Sequence, residues 1–135
     1  MEPESTPFAA IGGADVVDAL VERFYAEMSA MPQARAIRAL HAENLGPTKH
    51  ILKLYLSEWL GGPALYSASR GHPRLRMRHI RFPIGESERD AWLACMRRAL
   101  EACVTDDAAR EGIYSAMAKL ADHICLLYTS DAADE

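Results

Sequence analysis

Apolar residues recur at three- and four-residue steps along almost the whole chain of 135 residues, which is the period of an amphipathic α-helix. The clearest run follows the turn signal Gly12-Gly13 and ends near Pro32. No segment shows the sustained apolar-polar alternation with β-branched residues that is typical of a half-buried strand. The sequence therefore predicts an all-α fold, and its length predicts a single domain.

Four further segments extend this pattern. A short helix is predicted over 34–40, and a longer one begins at Pro47 and stops at Gly61-Gly62-Pro63. Ser87 and Asp90 resemble a capping box for a helix that runs to about Cys103. The last helix is predicted to begin near residue 105, where acidic residues favour a helix start.

Two stretches lack a helical stripe. Residues 64–83 contain Gly71, Pro73 and Pro83, so we expect a loop with at most a short helix over 75–79. Residues 126–135 have no apolar stripe beyond Leu127, which predicts a disordered or non-native tail. The domain is therefore expected to span 1–125.

Charge and cysteine content narrow the class of protein. Fifteen Lys and Arg against nineteen Asp and Glu give a net charge of −4, which disfavours binding to nucleic acid or to an anionic membrane. Apolar runs are too short to span a bilayer, and no secretory leader is recognisable. Three cysteines without a CxxC spacing suit a reducing cytoplasm. An arginine-rich cluster between Arg70 and Arg81 is either a local anion site or a solvated loop.

The residues alone favour few kinds of chemistry. The five histidines have no spacing that completes a zinc site, and neither a nucleophile elbow nor a phosphate-binding loop is present. Long amphipathic helices around an irregular segment that carries a histidine available as an iron ligand have the outline of a haem pocket. A lone histidine such as His79 is nevertheless more often an ordinary surface or core residue than a ligand.

Four stretches resemble a known family, the group II truncated haemoglobins. They are Arg-Phe-Tyr at 23–25, Trp-Leu-Gly-Gly-Pro at 59–63, Gly-His-Pro-Arg-Leu-Arg-Met-Arg-His at 71–79, and Phe-Pro-Ile-Gly with Glu-Arg-Asp-Ala-Trp between 82 and 92. The resemblance covers about residues 12–123. It implies a two-on-two helical sandwich around haem b, with His79 as the metal ligand.

The resemblance also implies roles for other residues. The distal pocket, where a ligand binds, would have three hydrogen-bond donors: Tyr25, Trp92 and His41. Further residues would bind the cofactor, as pocket wall (Thr48 and Leu52), as packing on the macrocycle (Phe82 and Tyr55) and as partners of the propionates (Arg78 and Tyr66).

A pocket with several donors predicts slow release of bound ligands. The resemblance therefore implies a haem protein with five-coordinate iron that binds O2, NO and CO, suited to ligand retention or to redox chemistry such as NO dioxygenation or peroxide turnover. Such turnover would require an external reductase, and the protein would be a monomer or a homodimer. The alternative is a haem-free, all-helical protein-interaction module whose aromatic residues pack only against protein.

Overall fold

A computed structural model of the chain describes residues 6–72 and 84–129, with side chains described as far as residue 122. Within these residues the regular structure is helical and no strand is present, which confirms the all-α prediction. The helices are α1 (Pro7–Ile11), α2 (Ala14–Ala30), α3 (Arg35–Ala39), α4 (Gly46–Trp59), α5 (Leu65–Arg70), α6 (Glu86–Cys103) and α7 (Asp107–Thr129), with a 3-10 turn at Pro32–Ala34 before α3.

Helix α2 is the centre of the packing. It contacts α4 on one side and α6 on another, and α6 packs in turn against α7. The stripe of α2 predicted from the sequence is buried, and Leu20, Val21 and Phe24 are all fully inaccessible. Opposite them, the buried face of α6 includes Met96 and Leu100. Each large side chain of this kind stabilises the fold by roughly 1.5–3 kcal/mol through burial, so the α2–α6 contact is the main part of the core.

The short helix α1 has no counterpart in the sequence prediction. The Thr6 hydroxyl accepts a hydrogen bond from the Ala9 N–H, and Pro7 occupies the first turn, where its missing N–H costs nothing. The Phe8 N–H donates to the Leu60 carbonyl at 2.9 Å. Five residues are too few to show a periodic stripe, which is why α1 escapes a search based on periodicity.

The expectation of a loop over 64–83 is wrong for its first part, because Leu65–Arg70 forms α5. The Glu58 carboxylate, at the end of α4, accepts the Ser67 N–H at 2.8 Å and so satisfies one of the unpaired donors of the first turn. This hydrogen bond also lowers the pKa of Glu58. The predicted short helix over 75–79 lies outside the described residues.

The starts of the last two helices differ in detail from the sequence prediction. The pairing of Ser87 with Asp90 is wrong, because α6 begins two residues earlier than that pairing implies and the Gly85 N–H donates to the Glu88 carboxylate at 2.9 Å. Helix α7 is capped by Asp106, whose carboxylate accepts the Ala109 N–H at 2.8 Å. The predicted end of α6 at Cys103 is confirmed.

The backbone of α7 stays helical through Thr129, four residues past the predicted domain boundary at residue 125. Residues 130–135 lie outside the described part of the chain, and the division into a domain and a tail stays a prediction. Among the helices of the described residues, none combines the length and the apolar character that crossing a bilayer requires.

Candidate distal pocket

Tyr25 is a buried phenol on α2. The residue is only 5% exposed, and burial raises the pKa of its hydroxyl to about 12. Its ring meets two other rings edge-on, Phe24 at 4.9 Å and His41 at 5.7 Å between centroids. The Tyr25 side chain is therefore a protonated phenol inside the protein, able to donate its O–H.

His41 follows α3 and stands beside Tyr25. Its Nδ1 lies 2.8 Å from the Ile37 carbonyl oxygen, one helical turn earlier. The guanidinium of Arg38 donates to the carbonyls of Ala42 and Glu43, at 3.1 and 3.0 Å, which fixes the chain just after the histidine. The structure thus brings together two of the three residues predicted for the distal pocket.

Trp92 lies in the second turn of α6 and is half-buried. Its ring packs edge-on against Phe24, with centroids 5.1 Å apart and planes at 62°. Phe24 therefore contacts both Tyr25 and Trp92. The sequence gives Phe24 only as one member of the α2 stripe, and its role as the contact between two predicted donors was missed. Its position directly before Tyr25 was the available signal.

The apolar face of α4 is incompletely covered. Four apolar residues in its middle turns remain only half-buried, namely Ile51, Leu52, Leu54 and Tyr55. Thr48, one turn earlier, has intermediate exposure as well. Leu52 and Tyr55 pack against the edge of the core. A helix that places a row of apolar side chains partly in water is typical of a surface completed by a bound apolar group.

Tyr66 joins this region from α5. Its side chain is 3% exposed, and its ring lies edge-on to Tyr55 with centroids 5.7 Å apart. The guanidinium of Arg70 lies 5.9 Å from the centroid of the same ring. Burial raises the pKa of the Tyr55 hydroxyl, so this phenol is protonated near neutral pH. Tyr55 and Tyr66, both predicted to bind the cofactor, are therefore neighbours.

Three predicted residues, Arg78, His79 and Phe82, lie outside the described residues. In the part that is described, His, Cys, Asp and Glu side chains form no group of three that could hold a bare metal ion. Cys95 and Cys103 are free thiols there, and burial raises the pKa of Cys95 to about 11. Buried thiols of this kind are unreactive.

Two observations fit haem as the missing group. The half-buried row on α4 offers an apolar surface of the kind a flat macrocycle covers, and the buried phenol of Tyr25, protonated near neutral pH, offers a hydrogen-bond donor. Haem needs one axial ligand from the protein and an otherwise apolar cavity, and a cluster of acidic or thiol ligands is not required. The described residues therefore suit a haem better than a bare metal ion.

Comparisons with known proteins agree over nearly the whole chain. The model of the bacterial-like globin family matches residues 6–126. A group 2 truncated hemoglobin from Bacillus subtilis is 33% identical over 120 residues, which cover 89% of this chain and 88% of that protein.

Solved structures give the same result. The group II 2-on-2 hemoglobin from Agrobacterium tumefaciens aligns with a TM-score of 0.87 at 42% identity, over 92% of this chain and 97% of that one. The cold-adapted truncated hemoglobin from the Antarctic bacterium Pseudoalteromonas haloplanktis aligns with a TM-score of 0.87 at 36% identity, over 89% and 97%. The two-on-two helical fold implied by the sequence resemblance is thereby confirmed. The chain belongs to the bacterial-like globins, among the group II truncated haemoglobins, a family that binds haem b and, through it, diatomic ligands.

Proposed function

We propose that this globin retains a diatomic ligand in a distal pocket whose principal donors are Tyr25 and Trp92. The observation that supports this most strongly is the ring cluster on α2: the buried Tyr25 lies edge-on to Phe24 and His41, and Phe24 lies edge-on to Trp92. His41 is the third polar group of the pocket, and Leu52 and Thr48 form its wall on the α4 side. When bound, the haem supplies the iron that holds the ligand.

The energetics favour a ligand that accepts hydrogen bonds. A hydrogen bond between protein and ligand contributes a net free energy of about 0.5–1.5 kcal/mol, so an acceptor atom beside the Tyr25 hydroxyl would be stabilised by that amount. Since burial raises the pKa of Tyr25 to about 12, the phenol keeps its proton near neutral pH and can only act there as a neutral donor or acceptor. The indole N–H of Trp92 can only donate. Tyr25 on α2 and Trp92 on α6 both contact Phe24, so their O–H and N–H groups would donate to the same electron-rich atom of the ligand.

The test is the dissociation rate of O2 from the ferrous protein. Trp92→Phe and Tyr25→Phe each remove one donor and keep most of the ring volume. Loss of a hydrogen bond to a partly charged atom is worth roughly 1.5–3 kcal/mol, or about a ten- to hundredfold faster release. Because the donors converge on one acceptor, the double variant should differ from the sum of the singles.

Trp59→Phe and Tyr114→Phe are the matched controls, since Trp59 is the last residue of α4 and the Tyr114 ring lies under the guanidinium of Arg97. They should release O2 at the rate of the parent protein. Unchanged dissociation in all three pocket variants would overturn the donor mechanism. If Trp92 served only in packing, Trp92→Phe would instead lower the melting temperature and leave the O2 dissociation rate unchanged.

His79 is our proposed metal ligand, in a five-coordinate iron site. Support comes from its place at the end of the Arg-Met-Arg-His stretch of the sequence resemblance. His79→Ala should abolish stable haem retention, while His72→Ala, seven residues earlier, should keep it. A His79→Ala protein with the parent five-coordinate ferrous spectrum would refute the assignment.

Arg78 and Tyr66 are proposed partners of the propionates, and Phe82 and Tyr55 are proposed to pack on the macrocycle. The close contact of Tyr55 with Tyr66 supports placing both at one edge of the haem site. Arg78→Leu should weaken haem retention in proportion to the loss of one charge-assisted hydrogen bond, about 1.5–3 kcal/mol. Arg35→Leu, on α3, is the matched arginine control.

Slow release suits ligand retention or redox chemistry on the ligand. Stopped-flow mixing of the O2-loaded ferrous protein with NO, and of the ferric protein with peroxide, separates the two enzymatic roles from retention. Turnover in cells would require an external reductase. The alternative of a haem-free interaction module predicts protein without a Soret band from cells supplied with iron.

A further inference from the structure

Helix α5 is too short to be stable by itself. It has six residues, Leu65–Arg70, and isolated helices shorter than about 12–15 residues are marginal in water. Its main packing partner within the described residues is α4. Tyr66 is the buried residue of α5, whereas Leu65, its other large apolar side chain, is 44% exposed. The helical state of this segment therefore depends on a small number of contacts with α4.

The turn between α4 and α5 determines where α5 begins. The Gly61 N–H donates to the Glu58 carbonyl at 2.9 Å, and the Gly62 N–H donates to the Ser57 carbonyl at 2.8 Å. A Cβ atom at Gly62 would lie 2.6 Å from the ring of Phe8, so a larger residue there would displace this part of α1. The turn fixes the start of α5, and the contacts of α5 itself decide whether it stays helical.

The carboxylate of Glu58 is the polar contact that holds the first turn of α5. Its Oε1 accepts the Ser67 N–H at 2.8 Å, across nine residues of sequence. The first N–H groups of a helix have no partner within the helix, so an acceptor from outside stabilises the first turn. Hydrogen bonding from Ser67, first from its N–H and then from its hydroxyl, lowers the pKa of Glu58. The acceptor is therefore charged at neutral pH, which strengthens the hydrogen bond.

The ring that depends on this contact is Tyr66, directly before Ser67 in the first turn of α5. Tyr66 is 3% exposed, and its ring lies edge-on to Tyr55 with centroids 5.7 Å apart. Tyr55 belongs to the half-buried apolar row of α4, where haem is proposed to pack. If the first turn of α5 frayed, the backbone that carries the Tyr66 ring would no longer be fixed beside that row.

We propose that Glu58 is a positioning residue of the haem site, because its contact with the first turn of α5 holds Tyr66 at the edge of the site and so slows the loss of haem. The inference rests on the proposed function, in which Tyr66 is a partner of the propionates. Glu58 itself does not bind haem in this scheme. Its negative charge, taken alone, would repel the propionates. The positioning effect and the direct electrostatic effect of Glu58 therefore have opposite signs.

The rate of haem loss to an excess of apomyoglobin tests the proposal, because the two effects predict opposite changes. Glu58→Ala removes the acceptor and should lose haem about fivefold faster, the size of effect that a lost helix cap typically has. Glu58→Gln keeps an oxygen that can accept the Ser67 N–H and should restore most of the retention. If Glu58 acted only through its charge, both variants would lose haem more slowly. That outcome, or an unchanged rate in Glu58→Ala, would overturn the proposal.

Asp106→Ala is the matched control for the loss of a capping carboxylate. The Asp106 carboxylate accepts the Ala109 N–H at 2.8 Å at the start of α7, and α7 carries none of the residues proposed to bind haem. Both Asp106→Ala and Glu58→Ala should lower the urea midpoint slightly, which also shows that both variants fold. Asp106→Ala should lose haem at the parent rate. Haem loss as fast as that of Glu58→Ala would indicate a general loss of stability, and would overturn the proposal.

Hydrogen exchange of the haem-bound protein tests the contact itself. Deuterium uptake by the peptide that covers residues 65–70 should be faster in Glu58→Ala than in the parent protein, and close to the parent in Glu58→Gln. Equal uptake in the parent and in Glu58→Ala would overturn the inference while the O2 experiments on Tyr25 and Trp92 stand. A parent protein that takes up no haem would overturn the proposed function and this inference together, and its lack of a Soret band identifies that outcome.

Discussion

Helices α6 and α4 both pack against α2, but they differ in how completely their apolar residues are buried. Toward α6, Leu20, Val21 and Phe24 meet Met96 and Leu100 with no exposed surface. On α4, by contrast, Ile51, Leu52, Leu54 and Tyr55 keep intermediate exposure, and the helix also forms ion pairs with α2. The α2–α6 contact is therefore complete as protein alone, whereas the apolar row of α4 is only partly covered by protein.

The ionic attachment consists of lysines on α4 that reach acidic residues on α2. Lys53 pairs with Asp18 at 2.7 Å and with Glu22 at 2.8 Å, and Lys49 pairs with Glu22 at 2.9 Å. The two lysines lower the pKa of Glu22. Exposed pairs of this kind contribute little to stability and weaken in salt. Helix α4 is therefore oriented on α2 without being fully packed against it.

The largest expected effect comes from making the same substitution, Leu to Ala, once on α2 and once on α4. Leu20→Ala opens a cavity in the fully buried contact between α2 and α6 and should lower the free energy of unfolding of the apoprotein by about 2–5 kcal/mol. Leu52→Ala, on α4, should lower the free energy of unfolding less than Leu20→Ala does, since the Leu52 side chain is already partly exposed. Urea unfolding measures both.

Haem binding should change how much unfolding free energy each of these two variants loses. If the macrocycle covers Leu52, the cost of Leu52→Ala should rise in the haem-bound protein, and the cost of Leu20→Ala should stay the same. Equal losses of unfolding free energy for Leu20→Ala and Leu52→Ala in the apoprotein would contradict the difference between the α2–α6 contact and the apolar row of α4.

The second prediction uses the ionisation of Tyr25. Its pKa is raised from 10.0 to about 12 in the folded protein, so its contribution to stability is complete below pH 10. Above pH 10 the unfolded chain ionises first, and stability falls until the folded phenol ionises near pH 12. The total loss is roughly 2–3 kcal/mol.

Tyr25→Phe should lack this part of the alkaline loss, while Tyr114→Phe should retain it. Urea midpoints measured at a series of alkaline pH values give the comparison. If Tyr25→Phe lost stability with rising pH as steeply as the parent protein does, the Tyr25 phenol would not be buried in the folded protein.

The smallest expected effect is on the ionic attachment of α4. Lys53→Met removes the pairs with Asp18 and Glu22 and should cost roughly 0.2–1 kcal/mol at low salt, with the difference vanishing in about 1 M salt. Lys119→Met removes an exposed lysine from α7 and is the control. A larger loss that persists in salt would show that Lys53 also packs through its aliphatic stem.

Sequence reasoning succeeded where the signal was periodic. The stripe of α2 and the end of α6 follow from apolar spacing, because burial depends on which residues share a helix face. Helix α5 was missed because the group that caps it, Glu58, is nine residues away in sequence. The start of α6 was misplaced because the Glu88 side chain reaches back to a glycine, which offers no side-chain signal of its own.

For the site, the sequence supplied the candidates through a family resemblance, and the structure supplies relations between them. Spacing cannot reveal that Phe24 contacts both Tyr25 and Trp92, because the two residues lie on different helices. It also cannot reveal that the rings of Tyr25 and His41 meet edge-on, since the two residues lie sixteen positions apart in the sequence. The assignments of Arg78, His79 and Phe82 stay predictions.

The hydrogen bonds of Arg38 make the segment from Ile37 to Glu43 independent of the loop behind it. The hydrogen bonds from Arg38 to the Ala42 and Glu43 carbonyls, from the His41 backbone N–H to the Arg38 carbonyl and between His41 Nδ1 and Ile37 lie within these seven residues. None of these bonds involves the connection from Asn44 to Gly46. Residues inserted after Asn44 would lengthen the path to α4 and leave the imidazole where it is. The pocket histidine can therefore be kept, exchanged or grafted together with its seven-residue segment, without matching the length of the connection to α4.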